Sequence, residues 1–216
     1  MIGIDFVQQE DPYGSMEPYI RVGDRIVKKW AHLDLKKVYH AGETKDHTNN
    51  NVELSVRSGS VRIGHGLNIV KKIHYLQHCK HICFELNPMS NLLTGGMTDI
   101  RMSTAPLLLG LGYAVSISPD DPGKFGYEDT TVDMYYSAVS FNWTLKHFKL
   151  IGFHAINHAI VTGGERIKML ESFNRRWDYW IDKLINCVKD GKIQWPKRGP
   201  AHDLSKEEES SKNKVN

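Results

Sequence analysis

Val61-Arg62-Ile63-Gly64-His65 reads as a short strand, apolar and β-branched in its body and polar where it stops. The same unit recurs on both sides of it. Upstream, Lys37-Val38-Tyr39-His40 runs into Ala41-Gly42-Glu43-Thr44, and Ile2-Gly3-Ile4-Asp5-Phe6-Val7 makes an earlier strand. Downstream, His81-Ile82-Cys83-Phe84-Glu85-Leu86 runs into Asn87-Pro88-Met89-Ser90-Asn91. Tyr113-Ala114-Val115-Ser116-Ile117-Ser118 then leads to Asp120-Asp121-Pro122. Helical stretches fall between: Glu17 to Ala31, a helix capped by Asn49-Asn50-Asn51 and ending near Ser58-Gly59, and a Leu-rich helix from Ala105 to Leu111. From Val132 to Val188 the period is helical, with a break at Thr162-Gly163-Gly164. Apolar strands alternating with helices predict an α/β fold built on a parallel sheet buried on both faces.

Composition narrows the class. Of 216 residues, 40% are hydrophobic and 25% charged, which suits a folded globular chain and not a disordered one. The net charge of +3 comes from lysines scattered over presumed helices, so no nucleic-acid stripe is expected. No apolar run is long enough to span a bilayer, so no membrane partner is expected either. Met1-Ile2-Gly3-Ile4-Asp5 lacks the basic and apolar regions of a secretory signal. Cys79, Cys83 and Cys187 are too few for a disulfide scaffold, and the tract around Cys79 and Cys83 reads as a helix end plus a buried strand. Asn142-Trp143-Thr144 is a glycosylation sequon, meaningful only on an exported chain. His154 and His158 read as a packed or partly exposed helix face, and Trp177, Trp180 and Ile181 as a core stripe. From Gly191 the composition turns to Ser, Lys and Glu and predicts disorder.

The strand ends carry the chemistry. His40 and His65 are separated by close to the ~30 residues of one β/α unit. In a parallel barrel all C-terminal strand ends lie on one face, so residues distant in sequence converge there. Two His, a Glu and two adjacent Asp in such a place suit a hard or borderline cation with water. Singly they are ordinary, since His-x-x-Glu is common and Asp-Asp-Pro is a usual turn. Together, each closing a strand, they predict a site.

His40-Ala41-Gly42-Glu43, Arg62-Ile63-Gly64-His65-Gly66, Pro88-Met89-Ser90-Asn91 and Ser118-Pro119-Asp120-Asp121-Pro122 resemble, in that order, the motifs of the adenosine deaminase family, a metal-dependent branch of the amidohydrolase barrels. The resemblance runs from about Ile2 to Arg175-Arg176-Trp177-Asp178. Thr44, Phe125-Gly126 and that last helix resemble the growth-factor branch. The resemblance implies a partial (β/α) barrel over residues 1–190, about the last five strand–helix units with the N-terminal strands missing, followed by the charged tail 191–216. It implies one Zn2+ with His40 and Asp120 as ligands and two more from a His-x-His strand absent here. His65 matches the residue that orients or deprotonates water, and Glu43 the acid that protonates the purine ring nitrogen. Asp121 matches a residue that hydrogen-bonds the purine, and Glu10 a carboxylate that holds the ribose. The implied reaction is hydrolytic deamination of adenosine or deoxyadenosine to the inosine forms, by an extracellular protein that forms a homodimer at full length.

The chemistry requires these types. Zinc lowers the pKa of water to about 7, and a carboxylic acid kept protonated in a dry pocket can protonate the purine as it is attacked. The cytidine-type deaminases need Pro-Cys-x-x-Cys, which this chain lacks. Three departures from the family pattern stand out: the absent ligand pair, Gln8 in place of a glycine, and Asn87 in place of a cysteine together with Met102-Ser103-Thr104 in place of His-Pro. The absent ligand pair predicts at most trace activity for these 216 residues alone. A non-catalytic secreted growth-factor-like or binding protein on the same fold is the alternative. A deaminase of a nucleotide such as AMP is a further one, against which stands the lack of an added basic cluster at the strand ends. Five strands of eight also predict unpaired edges at Ile4 and Val115 and an exposed apolar inner face.

Overall fold

The computed structural model describes residues 3–7 and 9–192. Met1, Ile2, Gln8 and the tail from 193 lie outside the described residues, and with them the reading of Gln8 and of the tail. The chain divides into two compact units, Met1–Phe173 and Asn174–Asn216.

In the first unit five strands form one parallel sheet in sequential order: β1 (Gly3–Ile4), β2 (Lys36–Ala41), β3 (Arg62–His65), β4 (Cys83–Leu86) and β5 (Ala114–Ile117). The helices are α1 (Glu10–Tyr13), α2 (Glu17–Lys29), α3 (Asn51–Arg57), α4 (Pro88–Leu93), α5 (Ala105–Gly110), α6 (Pro122–Phe125), α7 (Thr131–Phe141), α8 (Leu145–Asn157) and α9 (Gly163–Lys189). Between β3 and β4 the chain winds through 3-10 turns over Leu67–Cys79. Cys79 and Cys83 are both buried, one at the end of those turns and one opening β4, as expected.

The pleat sorts side chains into two faces. Tyr39, Ile63, Phe84 and Val115 are in register across β2 to β5, and each is fully buried beneath the helices. The adjacent register row, His40, Gly64, Glu85 and Ser116, points to the other face. There Arg62 donates to Glu85 Oε1 (2.5 Å), to Ser116 Oγ (3.1 Å) and to the carbonyl of His158 (3.0 Å). This corrects the expectation of an exposed apolar inner face, because the row is polar and bonded to itself. The edge expected to be open at Val115 is also partly covered: α8 packs on β5, and Val115 N donates to His154 Nδ1 at 3.3 Å. His154 is thus a packed residue, as its helical spacing suggested.

Two breaks divide the long helical run. α9 begins at the expected Gly163. The other break was not foreseen: Asn142 ends α7 in the left-handed conformation (φ +53°), and Thr144 and His147 form a capping box that starts α8. The Asn49-Asn50-Asn51 cap works through Asn49, whose Oδ1 accepts from Asn51 N at 2.9 Å, while Asn51 itself is engaged elsewhere. In the second unit Trp177 and Trp180 tilt against each other at 5.5 Å, and Trp180 is 45% exposed. No described residue of α9 is buried, so the stripe there is not core, contrary to its helical spacing.

Candidate active site

His40 is the next-to-last residue of β2 and His65 ends β3, while Asp120 and Asp121 follow β5. Their convergence depends on two backbone features. The Gly64 position faces the His40 ring across the sheet, and a Cβ there would lie 2.9 Å from His40 Cδ2. His65 has the same pleat parity as the buried Ile63, yet its φ of +62° takes it out of the alternation, and Asp120 is likewise left-handed at φ +59°. Non-glycine residues held in this region cost of order 1–3 kcal/mol each and concentrate at functional sites.

The side chains meet over the C-terminal end of the sheet. The His40 and His65 rings are 5.3 Å apart, and His65 Nε2 lies 3.5 Å from Glu43 Oε2 and 3.7 Å from Asp120 Oδ2. Ring nitrogens of His40 and His65 and a carboxylate oxygen of Asp120 all fall within 4.8 Å of one another. Three potential donor atoms therefore converge where the family resemblance implies two metal ligands, the third belonging to His65, which the resemblance matches to the residue that acts on water. Imidazole and carboxylate donors suit zinc. The surrounding bonds set the donors up for that role. His40 Nδ1 contacts Asp5 Oδ2 at 2.9 Å, a carboxylate–histidine arrangement that leaves Nε2 for a cation. His65 Nδ1 lies 2.7 Å from Asn91 Oδ1, which places the proton on Nδ1 and the lone pair on Nε2. Ser90 Oγ donates to Asp120 Oδ2 at 2.6 Å.

Electrostatics separates the two groups of opposite charge. Burial pushes the Glu43 carboxyl up, with Asp120 and Asp121 adding to the shift and His65 and His40 opposing it. Burial pulls His40 down, but Asp5, assisted by Glu85 and Asp120, outweighs it and leaves the imidazole raised. A carboxyl biased toward its protonated form, 3.5 Å from an imidazole nitrogen, is placed to act as an acid.

A cleft of about 590 Å³ opens over these groups, and His40, Glu43, His65, Ser90, Asp120 and Asp121 all line it. Asp121 lies exposed at its mouth. Lys45 and Lys124 also line the cleft, so two lysines stand where no added basic cluster was expected. Glu10 does not line it. It is 2% exposed, with one oxygen accepting from Glu43 N and the other from Asn51 Nδ2, which turns it away from the ribose contact implied for it. The partners Asp5, Asn91 and Asn51 carried no sequence signal of their role; Asn91 was visible only as the end of the Pro-x-Ser-Asn turn.

The adenosine deaminase family profile matches residues 1–175. The chain is 30% identical over 202 residues to an adenosine deaminase of Aedes albopictus, covering 89% of this chain and 37% of that protein. It is 29% identical to adenosine deaminase 2 of Dictyostelium discoideum, covering 88% and 36%. The chain thus spans little more than a third of the curated relatives it matches. Among solved structures it superposes on an adenine deaminase of Arthrobacter aurescens with a TM-score of 0.70 at 16% identity, covering 84% of this chain and 53% of that one. An amidohydrolase of Burkhoderia ambifaria with bound Zn superposes with a TM-score of 0.69 at 18% identity, covering 86% and 51%. The fold is therefore part of a deaminase-type barrel. Motif order, strand-end geometry and the family match agree, and the chain belongs to the adenosine deaminase family.

Proposed function

We propose that this chain carries the proton-transfer half of a hydrolytic deaminase that converts adenosine or deoxyadenosine to inosine or deoxyinosine. The observation that supports it best is the meeting of Glu43, His65 and Asp120 around one point, with Glu43 biased toward protonation. In this reading His40 and Asp120 hold one zinc ion, with further ligands from elsewhere in the full-length protein. The ion's contribution, when bound, is water with a pKa near 7. His65 Nε2, its tautomer set by Asn91, accepts a proton from the attacking water. Glu43 donates one to the purine ring nitrogen, and Asp121 at the mouth accepts a hydrogen bond from the base. Export belongs to the same proposal, and Asn142 of the sequon is exposed, as an acceptor must be. No helix among the described residues is long and apolar enough to cross a membrane.

The test is steady-state turnover of adenosine by the full-length protein, native and Glu43→Gln. Loss of a positioned general acid is expected to lower kcat by about 10²–10⁴-fold. Turnover that survives the substitution unchanged excludes Glu43 as the acid. Lys45 and Lys124 favour a second reading, in which the substrate is a nucleoside monophosphate whose phosphate sits at the cleft mouth. A higher kcat/KM for AMP than for adenosine would decide for it.

A further inference from the structure

Glu10 and Asp11 stand outside the converging group, yet both are tied to the turn that carries Glu43. Glu10 Oε1 accepts from Glu43 N at 2.8 Å, and its Oε2 accepts from Asn51 Nδ2 at 2.7 Å. Asn51 is fully buried and anchored in turn on backbone: its Oδ1 accepts from Met16 N at 2.8 Å and its Nδ2 donates to the Gly14 carbonyl at 3.1 Å. Alongside, Thr44 Oγ1 donates to Asp11 Oδ1 and accepts from Asp46 N at 3.0 Å. Two consecutive carboxylates after β1 thus hold two consecutive residues after β2.

The arrangement needs a physical reason. Among the described residues no lysine or arginine is paired with Glu10, and burying such a carboxylate is costly unless its oxygens are bonded. Burial pushes its pKa up, Asn51 and the Glu43 amide pull it down, and the like charge of Glu43 adds to the rise. A bond from an amide to a carboxylate is roughly twice as strong as one to a neutral acceptor, and here it falls on the residue that needs holding. Gly42, immediately before Glu43, sits at φ +79°, a conformation that leaves the turn dependent on outside contacts for its direction. Glu43 must nevertheless keep its carboxyl 3.5 Å from His65 Nε2.

Resting on the reading of Glu43 as the proton donor, we propose that Glu10 with Asn51 beneath the cleft, and Asp11 with Thr44 at its wall, are positioning residues that fix the Glu43 turn, and that Glu10 makes no contact with the sugar.

The experiment uses the full-length protein with Glu10→Gln, Asn51→Asp and the double variant. In Glu10→Gln two amides face each other, and in Asn51→Asp two carboxylates do. The double variant restores one donor against one acceptor. Each single variant is expected to lose about ten- to a hundredfold in kcat, with KM and zinc content unchanged, and equally for adenosine, 2′-deoxyadenosine and 5′-deoxyadenosine. The double variant recovers most of the loss. Amide hydrogen exchange of the segment 42–46 reads the clasp without any turnover: it should speed up by about tenfold in the singles and slow again in the double. That readout separates the two readings, because the clasp can be present in a protein that deaminates nothing. Should Glu10→Gln fail to fold, Thr44→Val removes the second tie alone and is expected to give the same exchange signature at residues 44–46. A rise in KM limited to substrates with an intact ribose would show that Glu10 holds the sugar, and unchanged exchange in the singles would show that there is no clasp; either overturns the proposal.

Discussion

Replacing Gly64 with alanine tests how tightly the strand ends are packed around His40. The added methyl would lie 2.9 Å from His40 Cδ2 and 3.0 Å from Cγ, against the 3.4 Å at which ordinary contact begins. The ring must therefore move by about 0.5 Å, which also disturbs the 2.9 Å contact of its Nδ1 with Asp5 Oδ2. Overpacking of this kind costs about 1–3 kcal/mol. The larger effect is expected on the ion. His40 shares a 4.8 Å cluster with His65 and Asp120, and displacing a ligand through its surroundings lowers metal affinity by about 10–100-fold. The assay is zinc affinity of the full-length protein by competition with a chelator, beside a thermal melt. Gly110→Ala is the control: nothing lies within 4 Å of its added methyl, and it closes α5, so it should leave zinc binding alone and stabilise by up to about 1 kcal/mol. If Gly64→Ala binds zinc as tightly as the native protein, the packing argument for His40 as a ligand is refuted.

Further outcomes follow from the same geometry. Asp133 is fully buried and accepts from Met89 N (3.0 Å) and Tyr127 Oη (3.0 Å), thereby linking the start of α4 to the segment after α6; Asp133→Ala should destabilise by about 2–3 kcal/mol in a denaturant melt. The Glu10 pKa is raised above 4.5 in the folded state. A raised acid is more stabilising when protonated, so its contribution is fully present below pH 4.5 and is lost as pH rises through the folded value. The stability of Glu10→Gln relative to the native protein should accordingly improve on going from acid to neutral pH, and a gap that widens instead contradicts the raised pKa. His154→Leu removes the acceptor for Val115 N and should speed exchange of that amide.

Much of the sheet was legible because parallel strands buried on both faces read as apolar runs and change character where they end. The positions of His40, His65 and Asp120 follow from that change alone, before any side chain is placed. The unforeseen parts depend on partners that no local pattern specifies. Glu10 shows its residue type in the sequence, but its partner Asn51 lies 41 positions away and looks like a helix cap. The break at Asn142 was hidden because apolar periodicity continues on both sides of it, and only the left-handed cap and the Thr144–His147 box mark the boundary. Trp177, Trp180 and Ile181 show the opposite failure: a helical stripe has the same spacing whether it is covered or half exposed. The inner face was misjudged for a similar reason, since Arg62 and Glu85 lie within apolar strands and their pairing is seen only across the sheet.

In the proposed function, His40 and Asp120 hold the ion beside Glu43 and His65. Anomalous diffraction at the zinc edge from crystals of the full-length protein, grown with a purine nucleoside analogue, tests it most directly. One zinc peak is expected about 2.0–2.2 Å from His40 Nε2 and an Asp120 oxygen, with the purine ring nitrogen in hydrogen-bond reach of Glu43. A zinc peak bound by other residues, or a purine seated away from Glu43, would contradict it.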